Sequence, residues 1–368
     1  SGFERPQWFE SNANLVSKFP SPPRDDWSGR FWSPIVGAES QQVRQSVGLF
    51  DITALKRIEV SGKGALEFLM EQTTGKLDKA PGSVTYCLML TDTAGILSDI
   101  TVTRLGEHRF TIGANGLVDV ARLQMAAPDT VHVRDITGGT VGLGLFGPNA
   151  RKVIQKLTDA DVSHEAFGYF KAKELYLDQV PATLWRLSYV GELGYEIYAG
   201  ADMGLKLWDT LMEAGAEFGI IPAGRGAYNS MRLEKGYRMY GSEMTSEHNP
   251  HEAGVAFAVR KGGGYKGAEA FEALDPAGIT RKLVCLVMDD PSQVLMGKEP
   301  VLVGGHPVGY ITSGTMGHGI GKAIAYAWLP IEHATLGTRV EVAYFDSVYG
   351  GTVSDDPQFD PTMSRIKS

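Results

Sequence analysis

Residues 95–114 read GILSDITVTRLGEHRFTIGA. The pattern sets one strand, Ile96 to Arg104, against a second, Arg109 to Ala114, across Leu105-Gly106-Glu107-His108, a loop with the length and glycine of a β-hairpin. Strand alternation puts Leu97, Thr101 and Thr103 on the face of Asp99 and sends Ile100 and Val102 to the other. A carboxylate in mid-strand is disfavoured unless a partner or solvent meets it. At a sheet edge such a charge blocks aggregation; in a pocket it can do chemistry.

Outward from the hairpin, local structure alternates between helix and strand. RIEVSG (57–62) followed by ALEFLMEQTT (65–74) reads as a strand turning into an amphipathic helix. Gln41 to Val47 has helical spacing, and residues 20–34 (PSPPRDDWSGRFWSP) read as an irregular loop. Downstream, TVGLGLFGPNARKVIQKL (140–157) is an apolar strand and then a helix opened by Pro148. AKELYL (172–177) and ATLWRLSYV (182–190) are strand-like, Gly191 to Gly194 form a turn, and LKLWDTLMEAGAEFG (205–219) and residues 222–240 supply helices. After Gly262 to Gly264 the composition changes. From Lys282 short apolar runs (VCLVMDD, PVLVGGHPVGYITSG, RVEVAYFD) alternate with Gly, Pro and Asp turns, the pattern of a small β-barrel or sandwich.

At 368 residues the chain exceeds one ordinary core, so two or three domains are expected. A net charge of -8 disfavours a nucleic-acid partner, which needs a dense Lys/Arg face. No stretch approaches the ~18 apolar residues of a membrane span. Cys87 and Cys285 lie inside apolar, strand-like runs, where buried structural thiols are found. Two cysteines in so long a chain make no disulfide framework and point to a reducing compartment. The opening SGFERPQWFES has no apolar signal core and no initiator Met. It is compatible with a chain cut from a longer polypeptide, with Ser1 and Gly2 left by cloning.

Several motifs are weighed and set aside. Gly142, Gly144 and Gly147 match the dinucleotide fingerprint in spacing. The first two, however, sit inside the strand, and Pro148 removes an amide donor that would hold pyrophosphate. Gly62-Lys63-Gly64 and Gly262 to Gly264 lack the remainder of a phosphate loop. His248 and His251 are separated by Asn249-Pro250, which breaks the helix that would align two metal ligands, so they read as a solvated loop and no metal is expected. No Gly-x-Ser-x-Gly elbow supports serine hydrolysis.

Two further segments carry chemistry-bearing residues. Arg186 to Glu196 (RLSYVGELGYE) packs acids, aromatics and turn glycines into one strand–turn–strand unit, with Glu196 seven residues after Tyr189. Asn229 to Gly236 (NSMRLEKG) is a helix ending at a glycine cap, its charges ordinarily a wet face.

On these segments the sequence resembles the glycine-cleavage T-protein, or aminomethyltransferase, family, and within it the folate-binding region of dimethylglycine oxidase and dehydrogenase. The resemblance runs over nearly the whole chain: ERPQWFE (4–10), VGLFDIT (47–53), GILSDITVTRL (95–105), LGLFGPNA (143–150), the turn from Tyr189 to Glu196, SMRLEKG (230–236) and GYITSG (309–314). It implies an α+β fold, a three-domain cloverleaf of two interleaved mixed α/β domains and a C-terminal β-barrel, with folate in a central channel. The boundaries expected are 1–56 with 140–226, 57–139 with 227–278, and 279–368.

By the same resemblance Asp99 is the catalytic carboxylate. Tyr86, Asn115, Tyr169, Tyr189, Glu196 and Arg232 line the site for tetrahydrofolate, Glu196 meeting the pterin. The implied activity captures a methylene unit from demethylation of a methylated amine, giving 5,10-methylenetetrahydrofolate. The alternatives are transfer of an intact methyl group from an O-, S- or N-methyl donor to give 5-methyltetrahydrofolate, and a non-catalytic folate-binding subunit. The T-proteins of glycine cleavage carry two consecutive acids at the Asp99 position, whereas here Ser98 precedes it, which leans away from a lipoyl-carrier substrate. The flavin domain of the dimethylglycine enzymes is absent from the sequence. The implied partners are therefore a small methylated donor and a flavoprotein oxidoreductase domain or subunit, in the cytoplasm or, in a eukaryote, the mitochondrial matrix.

Overall fold

The Asp99 hairpin lies within an eleven-stranded sheet. A computed structural model describes residues 2–24, 29 and 32–368. In chain order the first elements are α1 (Pro34–Gln45), β1 (Val47–Asp51), β2 (Lys56–Ser61), α2 (Ala65–Gln72), β3 (Ser83–Leu90), β4 (Ile96–Arg104), β5 (Arg109–Ala114) and α3 (Leu117–Ala126). Then come β6 (His132–Asp135), β7 (Thr140–Phe146), α4 (Ala150–Lys156), β8 (Lys171–Leu177), β9 (Val180–Arg186), β10 (Gly194–Gly200), α5 (Gly204–Gly215), β11 (Ile220–Pro222), α6 (Arg225–Glu234) and α7 (Ala268–Glu272). The last strands are β12 (Arg281–Met288), β13 (Pro300–Val303), β14 (His306–Gly317), β15 (Lys322–Pro330), β16 (Arg339–Tyr344) and β17 (Ser347–Ser354).

Strand order in the sheet is β11-β1-β7-β10-β9-β8-β3-β4-β5-β2-β6. Its middle is a seam, because β8 and β3 share a single register pair, Ser83 with Lys171. The half running from β11 to β8 buries Leu49, Leu145, Leu184 and Ile197 with residues of α4 and α5. The other half buries Ile58, Val102 and Ile112 with α2 and α3. Each large side chain so buried contributes about 1.5–3 kcal/mol.

The halves turn toward one another. Arg57 of β2 is almost fully buried and donates to Thr140 Oγ1 at 2.7 Å and to the carbonyls of Thr137 and Thr140 at 3.1 Å. Gly113 of β5 lies against Trp185 of β9, whose ring would meet a Cβ there at 3.6 Å, an ordinary van der Waals contact.

The C-terminal strands form the expected barrel, closed in the order β12-β15-β14-β13-β16-β17. A cluster of Leu88, Leu90, Leu233, Tyr326 and Trp328 packs the barrel against β3 and α6.

Three local expectations need correction. The helix expected over Gln41–Val47 instead spans Pro34–Gln45, opened by Pro34 and by Ser33, whose Oγ accepts the Ile35 amide at 3.3 Å. Glu39, Ser40, Gln42 and Arg44 are all buried on it, so polar residues fall on every face and the amphipathic contrast is lost. The irregular loop loses Pro34 to this helix; its residues 25–28, 30 and 31 lie outside the described residues. Pro148 does not open α4, which starts at Ala150 after Asn149, because Gly147 at φ +133° first turns the chain. The helix expected within 222–240 is confined to Arg225–Glu234. Gly142 and Gly144 do lie inside a strand, β7.

Candidate active site

Asp99 is gripped from two neighbouring strands. Tyr86 of β3 donates its hydroxyl to Oδ2 at 3.1 Å, and Asn115, just past β5, donates its side-chain amide to Oδ1 at 3.0 Å. Ser98 points the other way, as alternation requires, and donates to Asp119 Oδ2 at 3.0 Å. The Asn115 backbone amide reaches the same carboxylate oxygen, tying the hairpin end to α3. Burial pushes the Asp99 carboxyl above its usual range, with the hydrogen bonds from Asn115 and Tyr86 opposing that rise. Burial, followed by the Asp99 charge, pushes the Tyr86 phenol far up, so it remains a donor.

A stack of tyrosines stands beside this carboxylate. The turn after β9, with Gly191 at φ +78°, delivers Tyr189, whose hydroxyl donates to the Arg238 carbonyl at 2.6 Å. Its ring stacks on Tyr228 of α6 at 5.4 Å and on Tyr237 at 5.6 Å. Tyr169 packs against the same apolar cluster as Tyr228, near enough to Tyr237 for the two phenols to act on each other. Burial pushes the Tyr189 phenol up, and among the charges acting on it are Arg232 and Asp99.

Glu196 occupies the other side. On β10 it pairs in register with Trp185 of β9 and Gly144 of β7. Tyr198, two residues on and thus on the same face, donates to its Oε2 at 2.5 Å. Oε1 has no hydrogen-bond partner among the described residues. Burial pushes the carboxyl up to about 6, with Tyr198 and Arg57 opposing. The Tyr228 hydroxyl lies in the fields of both Glu196 and Tyr189, which links this carboxylate to the stack.

Arg232 is buried and engaged. It donates to Asn229 Oδ1 at 3.0 Å, the Tyr237 carbonyl at 3.0 Å, Glu243 Oε2 at 2.9 Å and Ser313 Oγ at 3.3 Å. It thereby fixes Tyr237 and joins α6 to β14 of the barrel. The charges of this helix are not a wet face: Arg232, Glu234 and Lys235 are all buried.

A second buried network holds the Tyr189 turn from behind. Arg44 of α1 donates to the Val190 carbonyl at 2.7 Å and pairs with Glu192 at 3.0 Å and Glu234 at 2.6 Å. The strap 355–368, which follows the barrel, contributes Arg365 to Glu192 at 2.9 Å and Asp356 to Arg238 at 2.7 Å.

All seven residues singled out from the sequence thus fall on one assembly: Tyr86, Asp99 and Asn115 as one cluster, Tyr189 on the stack with Tyr169 beside it, Arg232 beneath the stack and Glu196 across it. Sequence reasoning missed Tyr198, Tyr228, Tyr237 and Glu243. Alternation from Glu196 could have found Tyr198, and the one-turn spacing from Arg232 could have found Tyr228. His248 is corrected: it is 2% exposed and stacks on Trp328 at 4.1 Å. Among the described residues no group of His, Cys, Asp and Glu is placed to hold a metal ion. Cys87 and Cys285 are buried free thiols, each pushed up to about 12 by burial. No helix among the described residues is long and apolar enough to cross a membrane.

Residues 1–262 match the family model described as the GCVT N-terminal domain, and residues 281–360 match the glycine cleavage T-protein C-terminal barrel domain. Mitochondrial dimethylglycine dehydrogenase of Rattus norvegicus is 32% identical over 377 residues, covering 100% of this chain and 43% of that protein. The chain therefore spans less than half the length of that relative. Aminomethyltransferase of Symbiobacterium thermophilum is 36% identical over 316 residues, covering 83% of this chain and 84% of the relative. The crystal structure of glycine cleavage system aminomethyltransferase T from Bartonella henselae superposes with a TM-score of 0.81 at 27% identity, over 94% of this chain and 96% of that one.

Proposed function

This chain belongs to the glycine-cleavage T-protein family, and from that premise we propose that it transfers a one-carbon unit to tetrahydrofolate. In this reading the unit is a methylene released in demethylation of a methylated amine, and the product is 5,10-methylenetetrahydrofolate. The observation that supports it best is the contrast between two carboxylates flanking one tyrosine stack. Asp99 has both oxygens held by protein donors, whereas Glu196 has one held and one open.

The open acceptor suits a pterin. That ring system presents a ring N–H beside an exocyclic amine, a pair of donors a carboxylate can meet together. With its carboxyl at about 6, Glu196 is ionised at neutral pH and accepts. Tyr189 and Tyr228 supply flat apolar contact with hydroxyls at the edge. Tetrahydrofolate, when bound, supplies a nucleophilic ring nitrogen that takes up the carbon.

Asp99 acts on the donor. Its carboxylate stabilises positive charge developing at the donor's carbon–nitrogen unit and can receive the amine proton, helped by a proton affinity that burial has raised. Tyr86 and Asn115 hold it so that no reorganisation is needed as charge develops. Ser98 is turned away onto Asp119, so the residue preceding Asp99 brings no second acid to the site. We assign the supply of the methylene unit to a flavoprotein oxidoreductase domain or subunit, a reading supported by the 43% share of the dehydrogenase relative that this chain covers. Two buried free thiols fit a reducing compartment, cytoplasm or mitochondrial matrix.

The test is incubation with tetrahydrofolate and, in turn, formaldehyde and a panel of methylated amines supplied with a flavoprotein amine oxidase as the oxidant, followed by mass analysis of the folate against the same mixtures without this protein. Methylene adduct formed faster than in the protein-free mixtures is expected. A methyl adduct would replace the reading by intact-methyl transfer, and bound folate that gains no adduct beyond the protein-free mixtures would reduce the protein to a binding subunit.

A further inference from the structure

The strap 355–368 has no helix or strand of its own, yet it is tied down along its length. Asp356 pairs with Arg238 at 2.7 Å, the Phe359 amide donates to the Glu234 carbonyl at 2.9 Å, and Asp360 pairs with Lys235 at 3.2 Å. Arg365 donates through Nε to both oxygens of Glu192, at 3.0 and 2.9 Å, and through Nη2 to the Arg44 carbonyl at 2.6 Å. A segment without a ladder of its own opens locally at less cost than the sheet beside it.

These anchors flank the tyrosine stack on two sides. Tyr237 lies between Lys235 and Arg238 in the chain, and the Arg238 carbonyl accepts the Tyr189 hydroxyl. Glu192 follows Tyr189 by three residues, across Gly191, which sits at φ +78° against the Lys235 side chain: a Cβ there would lie 2.9 Å from Lys235 Cδ. Because Tyr189 stacks on both Tyr228 and Tyr237, the strap braces the stack from the turn and from the end of α6 together.

Charge balance makes Arg365 the decisive anchor. Two carboxylates, Glu192 and Glu234, are almost fully buried, and two guanidiniums, Arg44 and Arg365, serve them. Without Arg365 both carboxylates would depend on Arg44 alone among these guanidiniums, and a buried charge short of its partner drives its surroundings to rearrange. The Arg365 side chain is 41% exposed, so it can be removed without opening a core.

We propose that Arg365 is a positioning residue for folate, acting through Glu192 on Tyr189, so that the grip of the strap and the affinity for folate are reciprocally linked. This rests on the folate reading. What the strap does to binding, binding does to the strap, by the same factor. A residue that touches no ligand but holds one that does should shift affinity about three- to tenfold.

The experiment takes the wild type, Arg365→Ala and Arg365→Lys. It measures the dissociation constant for tetrahydrofolate by calorimetry, steady-state kinetics of adduct formation, and hydrogen exchange of the strap amides with and without tetrahydrofolate. Arg365→Ala should raise the dissociation constant and KM about three- to tenfold, leave kcat within about twofold, and speed strap exchange. Arg365→Lys restores the charge and should recover part of the affinity. In the wild type, saturating tetrahydrofolate should slow strap exchange. Equal affinities in wild type and Arg365→Ala, or wild-type strap exchange indifferent to tetrahydrofolate, would overturn the proposal. So would a fall in kcat with the dissociation constant unchanged. Failure of the wild type itself to bind tetrahydrofolate would instead overturn the folate reading, and this role with it.

Discussion

Tyr86 donates its hydroxyl to Asp99 Oδ2 at 3.1 Å from the adjacent strand, and this bond opposes the burial that raises the carboxyl's proton affinity. Catalysis that requires ionised Asp99 is lost as pH falls through this raised value. Tyr86→Phe removes one opposing donor and should move the acid limb of the pH–rate profile to higher pH, with about a tenfold loss of turnover. A limb that stays in place would mean the Tyr86 bond does not tune the group that titrates.

Asp99→Asn keeps the volume and removes the charge. Turnover should fall about 100- to 1,000-fold, the range for losing one fixed electrostatic group. The dissociation constant for tetrahydrofolate should stay within about threefold, because Glu196 and the tyrosines carry the binding. Single-turnover mass analysis and calorimetry on one preparation check both halves.

Glu196 trades stability for an open acceptor. Its folded value of about 6 lies above the ordinary 4.5, so ionisation works against folding, and stability falls as pH rises through that window by about 2 kcal/mol. Glu196→Gln has no such loss. Chemical denaturation should find the variant gaining by about that amount between pH ~4.5 and neutrality, while its folate affinity drops about tenfold or more.

The Arg232 and Glu243 pair is buried at both ends, with side-chain exposures of 2% and 0%. Arg232→Met should cost about 3–5 kcal/mol in urea unfolding, since it strands Glu243 without a counter-charge. The double change Arg232→Met, Glu243→Gln should recover much of that. Equal stabilities of the single and double variants would show that the two side chains are not energetically coupled.

The Asp99 hairpin and the barrel were legible in the sequence because period-two alternation and turn glycines are local signals. Helix α1 was not, because Glu39 and Arg44 are buried on it and erase the polar face that periodicity needs. His248 looked wet for a related reason: what buries it is Trp328, supplied by the distant barrel. Within the site, residues on the signature segments were found. Tyr237 and Glu243 sit on irregular chain after α6, where no periodicity points a side chain anywhere, and only the packing of α6 on β14 brings them in.

The strap 355–368 reaches back across long stretches of chain: Arg365 meets Glu192, 173 positions earlier, and the Arg44 carbonyl, 321 positions earlier. Contacts so distant along the chain form late, because loop closure comes before any reward from the contact. On a ribosome the Tyr189 turn would emerge after Arg44 but well before the strap residues that complete its brace. The order of synthesis thus sets a delay between a folded sheet and a completed site, and an emerging chain would have its barrel strands before it could hold a ligand tightly.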